Sequence, residues 1–166
     1  MKKIFKNKKA CLPSRMVESR RGFSILETLV VLSVIVLLIA VILPSFQKMR
    51  DNQILKSTSL DVSSALDKAR SQTLSSVNSS EYGVHFQSDK IVIFQGQVFS
   101  SSNPGNESIF IISPASISLI NLTGGAVDLY FNRLSGAPDK AGTVTISISS
   151  LSKIINISAT GAVSIN

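Results

Sequence analysis

The chain is poor in the side chains that build most active sites. Its 166 residues include one cysteine and one histidine. A single cysteine excludes a disulfide framework and any zinc site made of several cysteines. The one histidine, His85, lies in a predicted strand with none of the other ingredients of a catalytic site around it, so we assign it a structural role. No phosphate-binding loop and no G-x-G-x-x-G pattern is present. We expect no enzyme activity, no catalytic residue, no metal and no cofactor.

Charge is also scarce, and it is unevenly placed. Only 16% of the residues are charged, yet the net charge is +7. Residues 1–22 account for all of it, and the remainder balances to zero; the basic residues of this block are Lys2, Lys3, Lys6, Lys8, Lys9, Arg15, Arg20 and Arg21, against Glu18. Nucleic-acid binding needs clustered cations. Residues 82–166 have four basic and four acidic side chains, so we expect no nucleic-acid partner, although Arg133 and Lys140 on one loop could form a small patch.

A long, mostly apolar run follows the basic block. Residues 23–43 would reach about 31 Å as a helix, which matches the hydrocarbon core of a bilayer. The preceding cations place the N-terminus in the cytoplasm and the rest of the chain outside. The run exceeds the apolar region of an ordinary signal peptide, and no A-x-A-like site follows it. A plain signal anchor stays open as an alternative.

Two residues are unusual for a plain anchor. Glu27 lies within the apolar run, where a carboxylate is costly unless it is paired, protonated or close to the interface. It either complements the N-terminal dipole of the helix at headgroup level or has a partner. Gly22 separates the last basic residues from Phe23, and on its own it is explained as a break ahead of a helix.

The segment Arg21-Gly22-Phe23-Ser24-Ile25-Leu26-Glu27, with its basic leader and apolar run, resembles the N-terminus of type IV prepilins and type II secretion pseudopilins. The resemblance implies that a prepilin peptidase cuts between Gly22 and Phe23 and methylates the new amine of Phe23. It also implies that Glu27 neutralises the Phe23 amine of a neighbouring subunit during assembly. Such a pair is costly to separate in a medium of low dielectric, so it can set the register between subunits.

The resemblance extends to partners and location. It implies contacts with other pilin or pseudopilin subunits through the N-terminal helix, with an inner-membrane assembly platform, and with membrane lipid before assembly. The chain would first cross the bacterial inner membrane once, with its C-terminal domain in the periplasm, and then enter a pilus or pseudopilus. Ala69-Arg70-Ser71 resembles the type H minor pseudopilins and minor pilins, whereas Ala162 stands where that group often has arginine.

Downstream of the run, the pattern first favours helix and then strands. Pro44 is expected to kink the helix, as the family's proline does at a similar depth. Helical spacing continues to about residue 80, with one face formed by Phe46, Met49, Leu55, Val62, Leu66, Ala69, Thr73 and Val77. Short β-rich runs follow at residues 82–86, 91–94, 109–112, 117–122, 127–131, 143–149 and 154–159. Val144, Ile146 and Ile148 alternate with hydroxyl side chains, which predicts a half-buried strand.

We therefore predict an α+β protein: a long N-terminal helix with a membrane-spanning first half, then a small antiparallel β domain of two packed sheets. Its parts are a basic leader that is removed (1–22), a transmembrane and filament-core helix (23–43), an amphipathic continuation (44–80) and an extracytoplasmic β domain (81–166). The expected function is that of a structural minor pilin or pseudopilin supporting protein secretion. The alternatives are an unprocessed, membrane-anchored binding domain and a DNA-binding minor pilin active in uptake.

Overall fold

One long helix is the first element of the part of the chain that the structure describes. The computed structural model describes residues 22–166, so the predicted leader, including its basic block and Cys11, lies outside the described residues except for Gly22. Gly22, Phe23 and Ser24 have no regular secondary structure, and helix α1 runs over Ile25–Leu74. Pro44 lies inside this helix, which continues beyond it without interruption. The bend expected at Pro44 stays a prediction.

The helix ends earlier than its sequence pattern indicates. After Leu74 a short 3₁₀ helix covers Val77–Ser79, where Asn78 and Ser79 have positive φ angles of 50° and 52°. Residues 75–80 are almost all serine and asparagine. Their short polar side chains compete for backbone hydrogen bonds and favour turns over helix. The predicted helical end near residue 80 is therefore wrong by about six residues, or roughly 1.7 helical turns.

The predicted apolar face of the helix is confirmed only in its middle. The buried residues of α1 are Leu55, Thr58, Ser59, Val62, Ala65, Leu66, Ala69 and Thr73. Phe46, Met49 and Val77, which the same pattern assigns to this face, are exposed. Helical periodicity shows which side of a helix can be buried, but not over what length another element covers it.

Within residues 22–166, eight strands form two antiparallel sheets, which confirms the α+β class with two sheets. The strands are β1 (Tyr82–Phe86), β2 (Lys90–Gln95), β3 (Glu107–Phe110), β4 (Ser116–Leu122), β5 (Asp128–Tyr130), β6 (Gly142–Ile148), β7 (Leu151–Ile157) and β8 (Val163–Ile165). One sheet has the order β3-β2-β1-β5 and the other β4-β6-β7-β8. All strand pairs are antiparallel.

A single apolar core joins the helix to both sheets. The predicted alternation of β6 is confirmed, since Val144, Ile146 and Ile148 are fully buried between polar neighbours. They share one cluster with Leu66 of α1 and Val84 of β1. Burying each such aliphatic side chain contributes about 1.5–3 kcal/mol, so this cluster is the main stabilising element of the β domain.

Arg70 ties the helix to two loops of the β domain. Its Nε donates to the carbonyl oxygen of Gly136 at 2.9 Å, and its Nη2 donates to that of Thr160 at 3.2 Å. The loops approach each other closely here, because a Cβ built on Gly161 would lie 2.3 Å from the Gly136 oxygen. Gly161 also has a φ of +81°, which side chains disfavour. Arg70 thus links the segment after β5 to the β7–β8 connection.

Candidate processing and assembly segment

Gly22 and Phe23 are both exposed among the residues that the structure describes. Gly22 is exposed, and a Cβ built on it would have no described atom within 4 Å. The side chain of Phe23 is 81% exposed. The fold of residues 22–166 therefore makes no steric demand for glycine at position 22. A requirement for glycine there would come from an enzyme that approaches the backbone closely.

Helix α1 begins immediately after this bond. The carbonyl oxygen of Ser24 accepts the backbone N–H of Thr28 at 3.1 Å, so Ser24 takes the N-cap position and Glu27 the third helical position. Ser24-Ile25-Leu26-Glu27 has the spacing of a capping box. The S-x-x-E pattern alone predicts this helix start, and it was not among the residues predicted to form the site. Glu27 lies in the first turn, where a carboxylate interacts favourably with the helix dipole.

The first part of α1 could cross a membrane. It is long and apolar enough to do so, and it fits either a membrane span or a signal anchor. From Ile25 to Leu43 its large apolar side chains are 44–83% exposed. Two hydroxyls in this stretch are satisfied within the helix, since Thr28 donates to Ser24 and Ser33 donates to Val30. These polar groups therefore tolerate an apolar environment without an external partner.

Glu27 differs from these hydroxyl residues. It is the only ionisable side chain in residues 23–43. Within the part of the chain that the structure describes, its carboxylate forms no hydrogen bond and no ion pair. The helix dipole stabilises such a carboxylate at the start of an apolar helix. The carboxylate is also able to form an ion pair with a cationic group of another molecule.

His85 has a packing role in the β domain. Its ring stacks on Phe99 with centroids 3.9 Å apart and planes 5° apart, and Phe99 also meets Phe94 edge to face. Burial lowers the pKa of His85 below its ordinary value, although the nearby Asp128 carboxylate acts in the opposite direction. Phe99 thereby holds the loop after β2 against the sheet.

The basic patch considered from the sequence is interleaved with acidic groups. The Lys140 Nζ lies 2.7 Å from an Asp139 carboxylate oxygen and 3.7 Å from one of Asp128. Burial lowers the pKa of Lys140, but the hydrogen bond and charge of Asp139, with Asp128, outweigh this and raise it. Arg133 donates to the carbonyl of Ser79. The two carboxylates beside Lys140 would repel a phosphate, so the arrangement around Lys140 does not favour phosphate binding.

Among residues 22–166, no group of three or more histidine, cysteine, aspartate or glutamate side chains is placed to hold a metal ion. Two clefts lie in this part of the chain. One of about 530 Å³ is lined by Glu81, Asn132, Arg133 and Leu134, and one of about 180 Å³ lies beside the β6–β7 turn. The expectation of a non-enzymatic protein stays a prediction.

Comparisons of the chain with models of known protein families, with curated proteins and with solved structures find no match.

Proposed function

We propose that this protein is a structural subunit of a type IV pilin-like filament: a minor pilin or pseudopilin of a type II secretion pseudopilus or a type IV pilus. A prepilin peptidase cuts it between Gly22 and Phe23 and methylates the amine of Phe23. The helix then leaves the membrane to pack beside those of other subunits. This transfer is feasible because helix neighbours and lipid tails are similarly apolar.

One observation carries the proposal. An exposed Gly22–Phe23 bond precedes the exposed apolar part of α1, residues 25–43, whose only ionisable side chain, Glu27, lies in the first turn of the helix. After the cut, the amine of Phe23 would be a cation at the edge of an apolar environment. An amine and a carboxylate from neighbouring subunits would neutralise each other there, whereas either group alone is costly to bury.

The position of Glu27 in the helix also explains how its negative charge can be tolerated before assembly. At the first turn of the helix, the Glu27 carboxylate is stabilised by the helix dipole at headgroup level. On assembly, the Glu27 carboxylate leaves the hydrated headgroup layer and pairs with the Phe23 amine of the neighbouring subunit. The two interpretations of Glu27 that the sequence left open therefore describe two successive states of one residue.

A neutral variant tests the assembly role. Breaking a buried ion pair by removing one partner costs about 3–5 kcal/mol, so we expect Glu27→Ala or Glu27→Gln to be processed normally but incorporated at least roughly tenfold less into filaments. The measurement is an immunoblot of sheared filaments from cells that contain the chain's own assembly system. Glu107→Gln makes the same chemical change in an exposed pair with Lys68 and should incorporate normally. Normal incorporation of both Glu27 variants would contradict the proposal.

An unprocessed single-pass anchor is the second candidate, favoured by the same apolar helix if the Gly22–Phe23 bond stays intact. Its external β domain would then act as a binding module without polymerising.

A further inference from the structure

A second exposed apolar group lies on α1 just beyond the apolar run. Phe46 and Met49 are 63% and 61% exposed, and with Arg50 they occupy the spacing i, i+3, i+4. Residues at this spacing lie on one face of a helix. Two large apolar side chains beside an exposed cation are an arrangement suited to a surface that is apolar on one side and anionic on the other.

The height of these residues along the helix fits the edge of a bilayer. At about 1.5 Å per residue, Phe46 is about 4.5 Å and Arg50 about 10.5 Å beyond Leu43. The headgroup region on each side of a bilayer is roughly 5–7 Å thick. Helical side chains tilt toward the N-terminus of the helix, so that of Arg50 extends back toward Leu43. Its guanidinium can therefore reach the level of the lipid phosphates.

The opposite face of this segment lies beside the β domain. Lys48, Asp51 and Asn52 line a cleft of about 180 Å³ together with residues 148–151 of the β6–β7 turn. Asp51, the acidic residue next to Arg50 in the sequence, lines this cleft and so lies beside the β6–β7 turn. Within the described residues, Arg50 forms no ion pair.

We propose that Phe46, Met49 and Arg50 form a face that docks on the headgroup layer of a phospholipid membrane, an inference that rests on the membrane span of the proposed function. The two apolar side chains enter the interface, and the Arg50 guanidinium pairs with a lipid phosphate. Guanidinium suits this task because its planar donors match phosphate oxygens and it is only weakly hydrated. The face fixes how far α1 sinks into the membrane before assembly.

The depth of a nearby reporter tests this face. The full chain, with Cys11→Ser, is reconstituted into phosphatidylcholine vesicles with a spin label on Ser45→Cys, and its depth is measured from its accessibility to oxygen and to a water-soluble nickel complex. Phosphatidylcholine carries a phosphate but no net charge, so an effect of Arg50 reports phosphate pairing. We expect Arg50→Gln, and separately Phe46→Ser with Met49→Ser, to shift the label outward by roughly 3 Å or more, two residues of helix rise.

Two controls separate this inference from the proposed span. Lys56→Gln removes an exposed cation farther along the helix and should leave the label depth unchanged. A label on Val34→Cys reports the centre of the span. If that label is central while the Ser45→Cys label keeps its depth in every variant, the docking face is wrong and the span stands. If the Val34→Cys label is open to water, the span and the docking face both fail.

Discussion

Replacing Arg70 by methionine removes the guanidinium that joins α1 to two loops, while keeping most of the apolar stem. The change deletes the hydrogen bonds to the carbonyl oxygens of Gly136 and Thr160, at 2.9 and 3.2 Å. Hydrogen bonds to charged groups contribute about 1.5–3 kcal/mol each. Arg70 is partly exposed, which weakens both, so we expect a loss of about 2–4 kcal/mol in the free energy of unfolding.

The assay is urea unfolding of the full chain in a nonionic detergent, followed by circular dichroism. Arg50→Met is the matched control, because Arg50 is exposed and forms no ion pair among the described residues. Exposed substitutions of this kind change stability by less than about 0.5 kcal/mol. Equal unfolding midpoints for the Arg70 and Arg50 variants would refute the claim that Arg70 holds the two loops together.

Two further predictions concern the leader junction and the histidine. Gly22→Leu should block the cut, because a peptidase that approaches the backbone closely has no room for the added side chain. The circular dichroism of the β domain should not change, since the described residues leave open space at Gly22. Efficient cleavage of this variant would count against a peptidase that needs glycine. Because burial lowers the pKa of His85, the unfolded chain binds its proton more readily, and stability should fall as the pH drops below the ordinary value of 6.5. His85→Phe, which keeps an aromatic ring against Phe99, should lose less stability than the parent chain between pH 7.5 and 5.5 in urea unfolding, and equal losses would contradict this role of His85.

Local patterns account for the parts of the fold that the sequence predicts well. The alternation of Val144, Ile146 and Ile148 predicts a half-buried strand because side chains alternate across a sheet with a period of two. The length of the apolar run predicts the first part of α1 because helix rise and bilayer thickness are fixed quantities. Both properties depend only on neighbouring residues in the chain.

Long-range contacts account for what the sequence could not show. Phe46 and Met49 continue a helical pattern, yet they are exposed because burial depends on where distant strands end. The two carbonyls that hold Arg70 come from loops 66 and 90 residues away. The stacking of Phe99 on His85 likewise depends on a loop folding back onto its sheet.

The candidate site could be predicted from the sequence more completely than the long-range contacts, because Gly22, Phe23 and Glu27 are close together in sequence. Their motif needs a helix start and an open peptide bond, both of which are local properties. The sequence of one chain does not show its two proposed partners, the enzyme that would cut the bond and the subunit whose amine would pair with Glu27. Two local signals went unused: the capping-box spacing of Ser24 and Glu27, and the turn-favouring serine and asparagine residues at 75–80.

The N-terminal residue of the protein isolated from cells tests the central claim most directly. Mass spectrometry of the N-terminal peptide, in cells with and without prepilin peptidase, distinguishes a processed subunit from an anchored domain. The account predicts a peptide that begins with N-methylated Phe23 in the presence of the enzyme and an intact leader in its absence. An intact leader in both strains would contradict it.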